Sequence, residues 1–468
     1  MSHFLLPSTP IYGHVAPMLV IGRGLVERGH RVSVLTGRKY RRAVESGGMT
    51  FLPIPAEVDY DDAHLDQWLP NRERFKGIAA GRYDIIGLFV GPLRAQHDAL
   101  RRALDRGRYD AVVCESAFLG ALPTLLTVPA VDRIPVVGVS ATPMSLTSVD
   151  CAPFGSGLDP GRSAFTRLRN RQIHFLLHRG PLRPVQEALD AALSTLGVPE
   201  TGANFFDQAA AFDLTFQLAA AGFEYPRREM PSTVRFVGPL RPDLDLPVTL
   251  PTWWPDLDGS RPVVHVTQGT LDNADLSKLM APAVRGLAGE DVLVVASTGG
   301  RPVQDLVDHF PGGLPTNTRV AEFLPYDRLL ARTDVVVTNG GYGGVQRTLS
   351  AGLPLVVAGS SEDKPEVAAR VAWSGTGINL RTGTPTPRQV RRAVRTTLRT
   401  PRFREEAERL RRQIQDQGDP MITIVATLEM LTNGQQTKQA VALARLPGEC
   451  GPGCRHYRVD AALVARCR

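Results

Sequence analysis

The stretch Val335-Val336-Val337-Thr338-Asn339-Gly340-Gly341-Tyr342-Gly343-Gly344-Val345 places three valines, then Thr338 and Asn339, before a cluster of four glycines. The β-branched run reads as a buried strand, the glycines as a tight turn, and residues 343–351 as a helix. Strand, glycine loop and helix N-terminus in that order make an anion site. Glycine lets backbone N–H groups approach a phosphate, and the helix dipole adds about half a positive charge there. No Gly-Lys-Ser/Thr follows, so this is not a Walker loop, and the spacing is not the GxGxxG dinucleotide fingerprint. Such a turn can equally be structural, and its surroundings have to decide.

Outward from this loop the pattern is regular. Thirteen residues after Asn339 comes Gly352-Leu353-Pro354, then a strand over 355–358. Ser360-Ser361-Glu362-Asp363-Lys364-Pro365-Glu366 next sets acids and a base at the C-terminal end of that strand, opening a helix over 365–373. Upstream, strands over 263–267 and 292–296 flank a helix over 274–287. At the start of the chain, a strand over 4–6, the turn Tyr12-Gly13-His14, a helix over 15–28 stopped by Gly29 and a strand over 32–35 form a βαβ unit. Strands over 109–114 and 134–140 with a helix over 117–127 extend it. Between them, Pro226, Pro231, Pro239, Pro242, Pro247, Pro251, Pro255 and Pro262 interrupt any periodicity. The expected organisation is an α/β protein: a doubly wound domain over 1–225, a linker over 226–260, a second doubly wound domain over 261–400, closing helices over 401–433, and a poorly ordered tail over 434–468. Ligands of open parallel sheets bind outside the strands' C-terminal ends, so the active site is expected in the cleft between the halves.

With these motifs in place, the chain resembles the inverting glycosyltransferases of the GT-B fold in the UDP-glycosyltransferase superfamily, including actinomycete macrolide and flavonoid glycosyltransferases. Their donor signature, His-Gly-Gly through Gly-Val-Pro to Asp-Gln, corresponds here to Asn339-Gly340-Gly341, Gly352-Leu353-Pro354 and Asp363-Lys364. The resemblance extends to about residue 433. It implies diphosphate contacts by Gly269 and Thr270 in Val266-Thr267-Gln268-Gly269-Thr270, by Asn339 and by the N–H groups around Gly343 and Gly344. It also implies nucleobase contacts by Phe323 and Tyr326, and sugar contacts by Asp363 with Glu362. Gly13-His14-Val15-Ala16-Pro17 resembles the Gly-His-x-x-Pro segment whose histidine is the catalytic base, and Glu115 takes the place of the aspartate that orients it. Three positions depart from the family pattern: Asn339 for histidine, Arg347 for the ribose-binding glutamate, and Lys364 for glutamine. The donor implied is a UDP- or dTDP-sugar, handled without a metal or other cofactor. The acceptor implied is a small apolar molecule bearing a hydroxyl, with Trp68, Phe89 and Phe154 as candidate wall residues beside Tyr60. A nucleotide-sugar epimerase and a non-catalytic helper of a partner enzyme share the fold. The Gly-His-x-x-Pro segment points away from the first, and retention of His14 with a nearby acid away from the second.

Composition excludes other classes. In 468 residues, 43% hydrophobic and 22% charged is ordinary for a folded chain. The net charge of +7 comes from an arginine-rich balance with Lys39, Lys76, Lys278, Lys364 and Lys438 as the lysines, while aromatics are 6%; this is not the footprint of a nucleic-acid binder. Arg162, Arg167, Arg169, Arg171, Arg179 and Arg183 read as a solvated helical face. No apolar run reaches the roughly 18 residues of a membrane span, and Met1-Ser2-His3 leads directly into a strand without a signal-peptide pattern, so a cytoplasmic location is expected. A homodimer is a candidate assembly. Of five cysteines, Cys114 and Cys151 read as reduced thiols, and Cys450, Cys454 and Cys467 with His456 lack metal-site spacing.

Overall fold

In a computed structural model of the protein, residues 1–199, 202–240, 249–270 and 272–433 are described. The expected tail with its three cysteines and His456 lies outside these residues, as do Pro242 and Pro247. The first sheet contains β1 (His3–Pro7), β2 (Arg31–Thr36), β3 (Thr50–Pro53), β4 (Ala111–Glu115), β5 (Val136–Ser140), β6 (Leu214–Gln217) and β7 (Val234–Phe236), in the order β3-β2-β1-β4-β5-β6-β7. The second contains β8 (Val263–Thr267), β9 (Leu293–Ser297), β10 (Thr318–Ala321), β11 (Val335–Thr338), β12 (Leu355–Val357) and β13 (Gly377–Asn379), in the order β10-β9-β8-β11-β12-β13. Every paired strand runs parallel. Parallel sheets are covered on both faces, which is why β4, β8 and β11 are buried along their whole length.

The strand order reverses between β1 and β4 in one sheet and between β8 and β11 in the other. Crevices open outside the C-terminal ends of strands at such a reversal. His14 follows β1, Glu115 ends β4, Gly269 follows β8 and Asn339 follows β11. All four therefore come to the two reversal points.

Several boundaries differ from the expected ones. β7 lies inside the proline-rich segment and pairs with β6, so the first sheet continues to Phe236. The helix expected over 274–287 begins at Met280, because the Gln268 side chain accepts from the N–H groups of Leu279 and Met280 at 3.2 and 3.0 Å and caps it there. The helix expected from 117 starts as a 3₁₀ turn at Leu119 and becomes α-helical at Leu122, with Pro123 in its first turn. The two closing helices part company. Pro401–Asp416 packs Ala407 and Leu410 on the second domain, whereas Pro420–Thr432 crosses back and buries Ile424, Val425 and Leu428 against Phe4, Met18, Leu25 and Val113. Burying each such side chain contributes about 1.5–3 kcal/mol, so the chain's last described helix fastens the first domain. Among the described residues no helix is long and apolar enough to cross a membrane. Cys114 and Cys151 are buried free thiols.

Candidate active site

His14 sits in the first turn of the helix Tyr12–Glu27. Ile11 at the cap offers no side-chain acceptor, and Asp62 reaches in instead to accept from the Tyr12 N–H at 2.7 Å. This fixes the turn that carries the histidine. His14 Nδ1 lies 2.9 Å from Glu115 Oε1, and the carboxylate is buried. The pair is a close imidazole–carboxylate contact. Glu115 Oε1 also accepts from its own loop, the Ala117 N–H, at 2.8 Å. Burial alone would lower the His14 pKa. The carboxylates of Glu115, Asp363 and Glu362 outweigh it and hold the imidazole above its ordinary value of 6.5. With Nδ1 against Glu115, Nε2 is the nitrogen left to take a proton.

The second half of the site comes from the other sheet. Gly340 has φ +90°, and a Cβ there would meet Val357 Cγ1 at 2.7 Å, so this position requires glycine. Gly341 caps the helix Tyr342–Ser350, and a Cβ at Gly341, Gly343 or Gly344 would meet nothing within 4 Å. The first turn of this helix is open, with its donor N–H groups accessible to an anion. Gly269 and Thr270 are exposed nearby, after β8. Asn339 is buried and donates to the Gln268 carbonyl at 2.5 Å, tying the β8 and β11 loops together. One of its two amide N–H donors is thus used within the protein.

Arg347 and Lys364 are likewise engaged. The Arg347 guanidinium stacks 4.9 Å from the Tyr326 ring centroid and donates to Asp327 Oδ1 at 2.9 Å. Lys364 is buried, with its ammonium paired to Glu362, 3.6 Å from Asp272 Oδ2 and 3.3 Å from Ser361 Oγ. Asp272, Ser361 and Arg72 are additions that the sequence did not single out. Ser361 donates to Asp272 at 2.8 Å, and Arg72, held by Asp84 through bonds of 2.7 and 2.8 Å, reaches across to within 3.9 Å of Glu362. Asp363 is pushed up to about 6, first by burial and then by Glu362, against the opposing pull of Lys364 and His14. Phe323 is 47% exposed and lies over Gly300, where a Cβ would be 2.8 Å from its ring. It offers a free aromatic face.

On the first domain, Phe89 packs its ring 5.8 Å from that of His14. Trp68 stacks 5.2 Å from Tyr60 and donates to the Gly87 carbonyl at 3.1 Å. Phe89, Trp68 and Tyr60 form one apolar cluster with Leu69 and Leu88. Phe154 belongs to a different group, with its ring 6.1 Å from Phe206. The structure thus brings two of the three candidate wall residues into the cluster beside His14.

Comparison with known proteins identifies this arrangement. Residues 302–431 match the family described as erythromycin biosynthesis protein CIII-like, C-terminal domain. The chain is 39% identical over 408 residues to 4'-demethylrebeccamycin synthase of Lentzea aerocolonigenes, covering 87% of this chain and 94% of that protein. The chain belongs to the UDP-glycosyltransferase superfamily. Within the superfamily it is also 34% identical over 420 residues to UDP-glycosyltransferase 2 of Phaeomoniella chlamydospora, covering 88% of this chain and 92% of the relative. Its fold is that of the calicheamicin glycosyltransferase CalG4, with a TM-score of 0.70 at 22% identity over 93% of this chain and 99% of the other. This superfamily member is therefore a glycosyltransferase of GT-B architecture, its two parallel domains facing one another across a cleft.

Proposed function

We propose that the protein is an inverting, metal-independent transferase that moves a hexose from a UDP- or dTDP-sugar to a hydroxyl of a small apolar natural product. The observation that carries this reading is the His14–Glu115 pair, which faces the Asp363 and Glu362 carboxylates across the cleft. Nε2 of His14 takes the acceptor proton as the oxygen attacks the anomeric carbon, and Glu115 stabilises the imidazolium that forms. Asp363 accepts from sugar hydroxyls and sets the anomeric carbon in line. The departing diphosphate is received by the open helix start at Gly341, Gly343 and Gly344 with Thr270, where fixed N–H dipoles meet its growing charge. This charge balance calls on no cofactor beyond the nucleotide sugar. Phe89, Trp68 and Tyr60 support the apolar acceptor side.

Two predicted donor contacts take a different part in this reading. Arg347 supports the nucleobase region by fixing Tyr326, and Lys364 shapes the sugar pocket by fixing Glu362 and Asp272. The test is a turnover screen of purified protein with UDP-, dTDP- and GDP-sugars against phenolic and polyketide acceptors. Acceptor-dependent release of UDP or dTDP is the expected result. Absence of release and of thermal stabilisation by every nucleotide would favour a non-catalytic helper.

A further inference from the structure

Among the described residues the largest fully buried charged group is Arg370, on the helix Lys364–Trp373 that begins with the donor-side residues. Its guanidinium donates to Glu224 Oε2 at 2.9 Å, to Glu366 Oε2 at 2.7 Å and to the Met144 carbonyl at 3.0 Å, and it lies 4.3 Å from the Tyr225 ring centroid. Glu224 accepts in turn from Tyr342 Oη at 2.9 Å, and Tyr342 is the first residue of the glycine-led helix. The two donor-side helices are thereby keyed to one point on the first domain.

Glu366 has a second oxygen, and it faces the other way. Oε1 accepts from the backbone N–H groups of both Gly155 and Gly157, each at 2.9 Å. These glycines hold φ of +90° and +60°, backbone that turns both N–H groups toward a single acceptor. The base of the same loop is pinned independently: Asp150 accepts from Arg167 at 2.9 Å and from Arg228 at 3.2 Å, and its carbonyl accepts from the Gly161 N–H at 2.9 Å. The loop tip is thus held by one carboxylate of the opposite domain, which lies three residues after Asp363.

We infer that Glu366 is a positioning residue, a clasp that sets the first-domain loop 151–160, which carries the acceptor candidate Phe154, in register with the sugar-binding start of the helix Lys364–Trp373. A carboxylate shared by two N–H donors and a buried guanidinium has one geometry in which all are satisfied. Movement of the helix start when a nucleotide sugar binds is then passed to the loop, and the loop is ordered for the acceptor only when the helix is in place. This inference rests on the transferase reading above for its kinetic consequence, but not for its structural one.

The test is amide hydrogen exchange over residues 150–162 in the full-length protein and its Glu366→Ala variant, with and without UDP or dTDP. It is paired with the kinetics of one phenolic acceptor that turns over in the donor screen. In Glu366→Ala the Gly155 and Gly157 amides are expected to exchange about tenfold faster or more. Nucleotide slows exchange of this segment in the parent protein and not in the variant. The acceptor KM rises about tenfold while donor KM and kcat stay within about twofold. Glu366→Gln keeps one acceptor oxygen for the two loop N–H groups but sets its NH2 against Arg370, and restores part of the protection. Equal exchange in parent and Glu366→Ala would overturn the clasp, as would donor KM rising as much as acceptor KM. The exchange readout needs no turnover, so loss of the clasp and failure of the transferase reading give separate results.

Discussion

Replacing Asp363 by Asn should make the protein more stable at pH 8 and a poorer enzyme. Asp363 has its pKa raised from 3.8 to about 6, chiefly by burial. The folded protein therefore holds a proton there more tightly than the unfolded chain does. This favours folding at low pH, and the advantage is lost as pH rises from the unfolded value through the folded one. A displacement of about two pH units at about 1.4 kcal/mol each means that ionised Asp363 costs about 3 kcal/mol of folding free energy above pH 6. Asn carries no such charge. For a domain of this size the gain corresponds to roughly 6–12 °C in its melting temperature. The assay is thermal unfolding of parent and Asp363→Asn across pH 4 to 8, with turnover measured in parallel. The stability difference should be full at pH 8 and shrink toward zero near pH 4, while turnover falls about tenfold or more because the sugar loses an ionised acceptor. A variant no more stable than the parent at pH 8, or a difference that does not change with pH, would refute the reasoning. The parent would then be keeping a charge for which burial exacts no penalty.

Glu115→Gln removes the largest influence holding the His14 pKa up. A base must be neutral to act, so the acid limb of the kcat/KM profile, above pH 6.5 in the parent, should move to lower pH while the plateau rate falls; a pH–rate series reads both. Arg370→Leu leaves Glu224 and Glu366 buried without their cation and should cost about 3–5 kcal/mol in urea unfolding. Gly340→Ala forces φ +90° and a 2.7 Å approach to Val357, and should cost about 1–3 kcal/mol and weaken UDP or dTDP binding by calorimetry.

Much of the fold was legible because its signals are local. A β-branched run before glycines, a Gly-His turn after the first strand and the repeat of strand and helix are each complete within about a dozen residues, whereas the short strands β3, β6, β7, β10 and β13 were not among the expected ones. Glu115 was legible only through the family resemblance, and the structure places it at the end of the strand that pairs with the one leading to His14. What sequence did not show depends on partners far along the chain. Glu224 and Arg370 stand 146 residues apart, and neither has a neighbour that marks it as a bridge. Arg347 and Lys364 read as departures from the family pattern, and the partners that hold them are distant in sequence: Asp327 lies twenty residues from one, and Asp272 about ninety from the other. Asn339 read as a phosphate donor, and only the approach of the β8 loop shows that one of its two N–H donors bonds the Gln268 carbonyl. The helix Pro420–Thr432 was legible as apolar, but not the domain on which it packs.

The central claim is that His14 acts as the base of an inverting transfer. Its most direct test is the anomeric configuration of the product, read from the coupling constant of the anomeric proton, with the rate compared between parent and His14→Ala. An α-linked UDP- or dTDP-sugar giving a β-glycoside, with turnover falling about a thousandfold or more in a variant that melts like the parent, is the predicted result. An α-glycoside, or unchanged turnover in His14→Ala, would contradict the account.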